Sequence, residues 1–177
     1  MQVRDAATSG RDGAESGRYR MVALVIGYLL VLLGLTALAG WLLEVEIIIS
    51  IVPGFPSMAF NTAICFVLSG IGLAASMETG KRYRIVPVIA CSLAALLSAV
   101  RLMEIITLGR TIHNVDVFLT QFFISPSFVE QIGGGMGPNT ALIFLISNLS
   151  ILLRSTGRSR AVSSYRNSPA ISRSRSA

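Results

Sequence analysis

Met21–Leu43 contains no charged side chain in 23 consecutive residues, and Met58–Met77 contains none in 20. A helix rising about 1.5 Å per residue over that length crosses a hydrocarbon core of about 30 Å. Ile85–Val100 and Pro138–Leu153 add two further charge-free runs of 16 residues each. The third run reaches spanning length by including Arg101 and Glu104, and the fourth by including its glycine-rich lead-in. Four such runs without a polar face would leave a water-soluble fold with no exposed surface of its own. The composition agrees, at 53% hydrophobic and 14% charged. The expected fold is therefore all-α, an integral membrane four-helix bundle with spans over roughly 21–43, 58–77, 84–106 and 136–154. The first run reads as a retained anchor rather than a cleaved signal, because its polar leader and apolar stretch are both too long and Gly40-Trp41-Leu42 is a poor cleavage site.

Two of the spans open alike. Met58-Ala59-Phe60-Asn61-Thr62-Ala63-Ile64-Cys65-Phe66-Val67-Leu68-Ser69 and Met136-Gly137-Pro138-Asn139-Thr140-Ala141-Leu142-Ile143-Phe144-Leu145-Ile146-Ser147 share Met, Asn, Thr, Ala, Phe and Ser in register, 78 residues apart. The expectation is a duplicated helical hairpin. Charge sets its orientation: Arg18 and Arg20, then Lys81, Arg82 and Arg84, then Arg154, Arg158 and Arg160 lie on one side, and the other two loops are poor in basic residues. By the positive-inside rule both termini are cytoplasmic and both Asn-Thr-Ala motifs face outward. The net charge of +6 is explained by orientation and anionic lipid, so nucleic acid is not an expected partner.

The ends carry no apolar pattern. Residues 1–17 and the Ser/Arg-rich 155–177 are expected to be disordered and cytoplasmic. In the second outer loop, Val115, Phe118, Leu119 and Phe122 recur at helical spacing, which predicts an interfacial helix over about 114–124. Small residues predict tight packing of spans two and three: Ala90, Ala94 and Ser98 on one side, Ser69, Gly70, Gly72, Ala74 and Ala75 on the other.

Few residues could carry chemistry. Asn61, Thr62, Asn139 and Thr140 stand at the starts of spans. They either cap those helices or form an outward-facing polar pocket at two positive dipole ends, suited to a headgroup, a quinone oxygen or an anion. Arg101 lies three residues before Glu104 on one helical face, and Glu44 ends span one at matching depth. Arg101 with Glu104 or with Glu44 is the candidate intramembrane charge pair, either structural or a proton or ligand site. His113 has no second His to share a metal or haem, and Cys65 and Cys91 differ too much in depth for a disulfide. No catalytic residues, metal or cofactor are expected, and the chain is not expected to be an enzyme.

The run from Pro56 to Leu73, echoed from Gly134 to Leu145, resembles the multi-span N-terminal membrane input region of bacterial sensory proteins, the region that precedes PAS, histidine kinase or diguanylate cyclase modules. The resemblance covers about residues 21–153. It implies a sensory or regulatory membrane domain, with Asn61, Thr62, Asn139 and Thr140 matching the recurrent motif. Where those proteins continue into an output module, this chain has its Ser/Arg tail. Either the chain is a fragment of a longer sensor, or a degenerate remnant, or its output runs through a cytoplasmic kinase or cyclase supplied as a separate chain, beside the lipid bilayer of a bacterial inner membrane and a second copy in a homodimer. The other readings are an accessory subunit of a larger membrane complex and a small transporter subunit. A transporter would require a carboxylate near mid-span, and the acids here cluster at the outer edge.

Overall fold

Hydrocarbon offers a peptide group no hydrogen-bond partner, so an apolar segment placed in it satisfies its backbone internally. The computed structural model describes residues 2–49, 57–78, 85–108, 120, 123–132 and 135–166, and contains no strand among them. Four long helices dominate: α1 (Gln2–Leu42), α3 (Phe60–Ser76), α4 (Ile85–Leu108) and α6 (Pro138–Arg166). Two short ones, α2 (Glu46–Ile49) and α5 (Pro126–Ile132), lie between them at one end. Three segments are long and apolar enough to cross a membrane: Gly17–Leu42, Ile85–Thr107 and Pro138–Thr156. α3 is equally apolar but has 17 residues, at the short limit for crossing.

Helix ends differ from expectation in two places. α1 continues back to Gln2 through the leader, and α6 continues to Arg166 in the tail, although composition predicts disorder over 1–17 and 155–177. Propagating a helix already nucleated in an apolar span adds one hydrogen bond per residue fixed, which offsets a weak local preference. Residues 167–177 lie outside the described part. Of the interfacial helix expected over 114–124, only Thr120, Phe123 and Ile124 are described, with the Phe123 and Ile124 N–H groups donating to the Thr120 carbonyl. His113 also falls outside the described residues. α5 was not anticipated from sequence.

α1 packs along α3, α4 along α6, and α3 also meets α4 and, over a smaller area, α6. The closest approach is between α1 and α3. A Cβ built on Gly70 would stand 2.6 Å from the Gly27 carbonyl oxygen, and one on Gly34 would stand 2.8 Å from the Ala63 carbonyl oxygen. Only hydrogen fits at those places, so the two backbones touch directly. The α3–α4 contact uses the expected small-residue face of α4, with Ala90, Cys91, Ala94 and Ser98 buried and Gly72 against Cys91, whereas Gly70 and Ala74, expected on this contact, pack against Gly27 of α1. At one end of this hairpin Arg20 pairs with Glu78 at 3.5 Å, an exposed contact that contributes little.

The other end is closed by aromatic packing. Trp41 is 2% exposed, donates its indole N–H to the Met58 carbonyl at 2.8 Å, and meets Phe60 and Phe128 edge-on at 6.2 and 5.9 Å. One side chain thereby joins the end of α1, the start of α3 and α5. Large apolar side chains point outward along α1, α4 and α6, among them Tyr28, Leu32, Leu96, Ile143 and Leu153, as a lipid-facing surface requires.

The close α1–α3 contact is testable. Gly70→Ala should lower stability by about 1–3 kcal/mol, as overpacking does. Gly17→Ala, where an added Cβ meets nothing within 4 Å, should be neutral. Thermal midpoints of both variants in one detergent compare them directly.

Candidate functional site

The residues singled out from sequence fall into separate environments at the end of the molecule closed by Trp41. Arg101, 4% exposed, sits on α4 about two turns before its end. Its Nη1 meets Glu104 Oε2 at 3.0 Å, and its Nε donates to the Met136 carbonyl at 3.1 Å. The guanidinium is therefore turned into the protein instead of reaching outward along lipid. The pair ties α4 to the Met136-Gly137 segment from which α6 starts. Both ions are almost fully desolvated, so their worth lies in fixing this geometry more than in net stability.

Glu44 does not belong to that pair. α1 ends with the Glu44 N–H donating to the Trp41 carbonyl at 3.2 Å and the Val45 N–H to the Gly40 carbonyl at 2.9 Å. This double bond is the Schellman closure, and it places Glu44 in the left-handed region at φ 54°, where glycine is usual. A side chain kept at that position has a role the strain does not outweigh. Glu44 Oε1 accepts the Ser125 backbone N–H at 3.0 Å, just ahead of α5. The Ser125 hydroxyl first, and then this N–H, hold the Glu44 carboxyl below its ordinary range. Ser125 in turn accepts from the Phe128 and Val129 N–H groups, with Pro126 at the first helical position. Of the two acids considered for Arg101, Glu104 pairs with it and Glu44 bonds Ser125 instead. Span one ends where α5 begins, and its acid is used there.

The two Asn-Thr motifs keep register but not environment. α3 starts at Phe60 and α6 at Pro138, the same position in each copy; Ala63 and Ala141 are both fully buried. The Ala63 N–H bonds the Ala59 carbonyl as the Ala141 N–H bonds that of Gly137. Phe66 and Phe144, also equivalent, meet edge-on at 4.9 Å. Asn61 and Thr62, however, are 2% and 8% exposed, whereas Asn139 is exposed and Thr140 half-buried. Neither Asn61 nor Thr62 caps α3. The residue in the capping position is Ala59, which supplies no side-chain bond. Among the described residues, Asn61 Oδ1 and, four residues earlier, Ser57 Oγ are buried without a hydrogen-bond partner.

A further polar line, not anticipated as a site, runs down the interior from Asn61. Cys65 Sγ lies 3.8 Å from Ser98 Oγ on α4, and one turn further Ser69 Oγ accepts from Asn148 Nδ2 on α6 at 2.8 Å. Asn148 is fully buried. An amide in the middle of a charge-free run is its sequence signal, and the repeat does not mark it because the counterpart of Asn148 is Gly70. Among the described residues no three His, Cys, Asp or Glu side chains converge as metal ligands would.

No protein-family model, curated protein or solved structure matches the chain. The site is accordingly read from its own geometry.

Two outcomes are expected. Arg101→Leu takes the Arg101 partner from the nearly buried Glu104 carboxylate and should cost up to about 3–5 kcal/mol, and adding Glu104→Leu should recover part of that loss. Comparing the thermal midpoints of single and double variants checks it. For Glu44 the folded carboxyl titrates below its unfolded value, so its contribution is present above the ordinary carboxylate range and lost as pH falls through the lowered value. The emission of Trp41, the only tryptophan and in contact with Phe128, should change over that acidic window. Glu44→Gln should show the acid-type spectrum already at neutral pH.

Proposed function

We propose that the chain is a non-enzymatic membrane sensory or regulatory domain that relays an outer-face or bilayer signal to a cytoplasmic partner. In this reading α1, α3, α4 and α6 are four spans of a bundle made from a duplicated hairpin, with both termini cytoplasmic. Support comes from the shared register of the two helix starts and from Arg20, Glu78 and Arg154 marking the end opposite Trp41.

The carrying observation is Asn61. An amide oxygen with 2% of the residue exposed and no partner costs about 1–3 kcal/mol, and it stands at a helix start that has no side-chain cap. Sequences retain such conflicts chiefly where a site needs them. A ligand group that donates to Asn61 Oδ1 and accepts from the first amides of α3, such as a hydroxyl, would satisfy both. Occupancy there bears on α3, which contacts α1, α4 and α6. The signal would leave along α6, whose backbone continues as helix to Arg166. The partner read from the sequence resemblance, a kinase or cyclase on another chain, fits a domain whose described residues are almost wholly helix.

Asn61→Leu separates this role from a structural one. It should leave the thermal midpoint equal or higher, because it removes an unmet acceptor, while abolishing the signalling response in cells. A fall in stability of about 1 kcal/mol, the loss expected of a helix cap, with the response retained would contradict the proposal.

A further inference from the structure

Hydroxyls inside the long helices mostly donate to their own chain four residues back: Thr36 to Leu32, Ser98 to Ala94, Thr107 to Met103 and Ser150 to Ile146, at 2.7–2.9 Å. Ser69 does not. It only accepts, from Asn148 Nδ2 at 2.8 Å, and its own proton has no acceptor among the described residues. Asn148 shows the complementary deficit. Its Nδ2 is fully used, donating to Ser69 Oγ and to the Phe144 carbonyl at 2.8 Å each, while Oδ1 accepts nothing. Turning the amide over would let Oδ1 accept the Ser69 proton, but it would set Oδ1 against the Phe144 carbonyl oxygen at 2.8 Å and take both amide protons from their acceptors, a net loss.

One donor and one acceptor are therefore left over on a single hydrogen-bonded pair, fully enclosed near the middle of α3. We propose that Ser69 and Asn148 form a binding site for one water molecule, which accepts from the Ser69 hydroxyl and donates to Asn148 Oδ1. Both residues are within a tenth of full burial, at 6% and 0% exposed, and they join α3 to α6 where those helices share the smaller contact. The bridge makes that contact between α3 and α6 exchangeable. It lies about 12 Å below Asn61 along α3 and is independent of what binds there.

Water-to-protein polarisation transfer in solid-state NMR, on the full chain in phosphatidylcholine–phosphatidylglycerol vesicles, reads the site directly. Serine carbonyl labelling with uniformly carbon- and nitrogen-labelled asparagine isolates the Asn148 backbone amide, because Ser147–Asn148 is the only Ser–Asn peptide in the sequence, and its Nδ2 is then assigned from that residue's own Cα through Cβ and Cγ. Transfer to the Asn148 side-chain amide should be several-fold faster than to its own backbone amide, and Ser69→Ala should remove that difference. Equal rates at the two positions in the wild-type chain, which needs no variant to fold, would overturn the site. So would an enhancement that persists undiminished in a folded Ser69→Ala protein.

Discussion

Lipid chains are as apolar as leucine, so helices in a bilayer gain little by burying leucine against each other. They gain by approaching closely enough for dispersion contacts and weak Cα–H···O bonds to accumulate. In this protein that approach is made by Gly27 and Gly34 on α1 against Gly70, Ala63 and Val67 on α3. The placement of α3 follows from it. Once α3 lies flush on α1, its other faces present Cys65, Ser69 and Gly72 to α4 and α6, and the interior polar line exists.

The end closed by Trp41 is built on a different principle. There the chain leaves α1 through a strained left-handed residue and is held by one indole and one carboxylate, Trp41 to Met58 and Glu44 to Ser125. Arg101 and Glu104 do the same for the entry into α6. Three polar tethers thus fix the segments that start α3, α5 and α6. The helix start they leave unmet is that of α3 at Asn61. Rigid surroundings around unsatisfied polar groups are what a preformed binding site requires, because the ordering cost is met in folding and not at binding.

Much of the fold is legible in the sequence because a bilayer leaves few options: charge-free length gives the helices, and α4 and α6 begin within two residues of where the apolar runs do. The small-residue face of α4 is equally readable from the spacing of Ala90, Ala94 and Ser98. What composition does not show is pairing. Gly27 and Gly34 are seven apart, not four, so they escape a search for the short small-residue motif. Glu44 and Glu104 look equivalent in sequence, yet backbone closure at α1 turns Glu44 toward Ser125, 81 residues away. Asn61 and Asn139 occupy the same register, and only packing decides that one is buried and the other exposed. Short-range pattern carries the helices, and long-range contact carries the site.

The central claim is that this membrane domain hands its signal to a separate cytoplasmic chain. Isolation of the tagged full-length protein in mild detergent from its own cell membranes, with quantitative mass spectrometry of what accompanies it, tests that most directly. The account predicts a kinase or cyclase in fixed ratio to the tagged chain. A fixed set of other membrane subunits instead, with no kinase or cyclase among them, would contradict it.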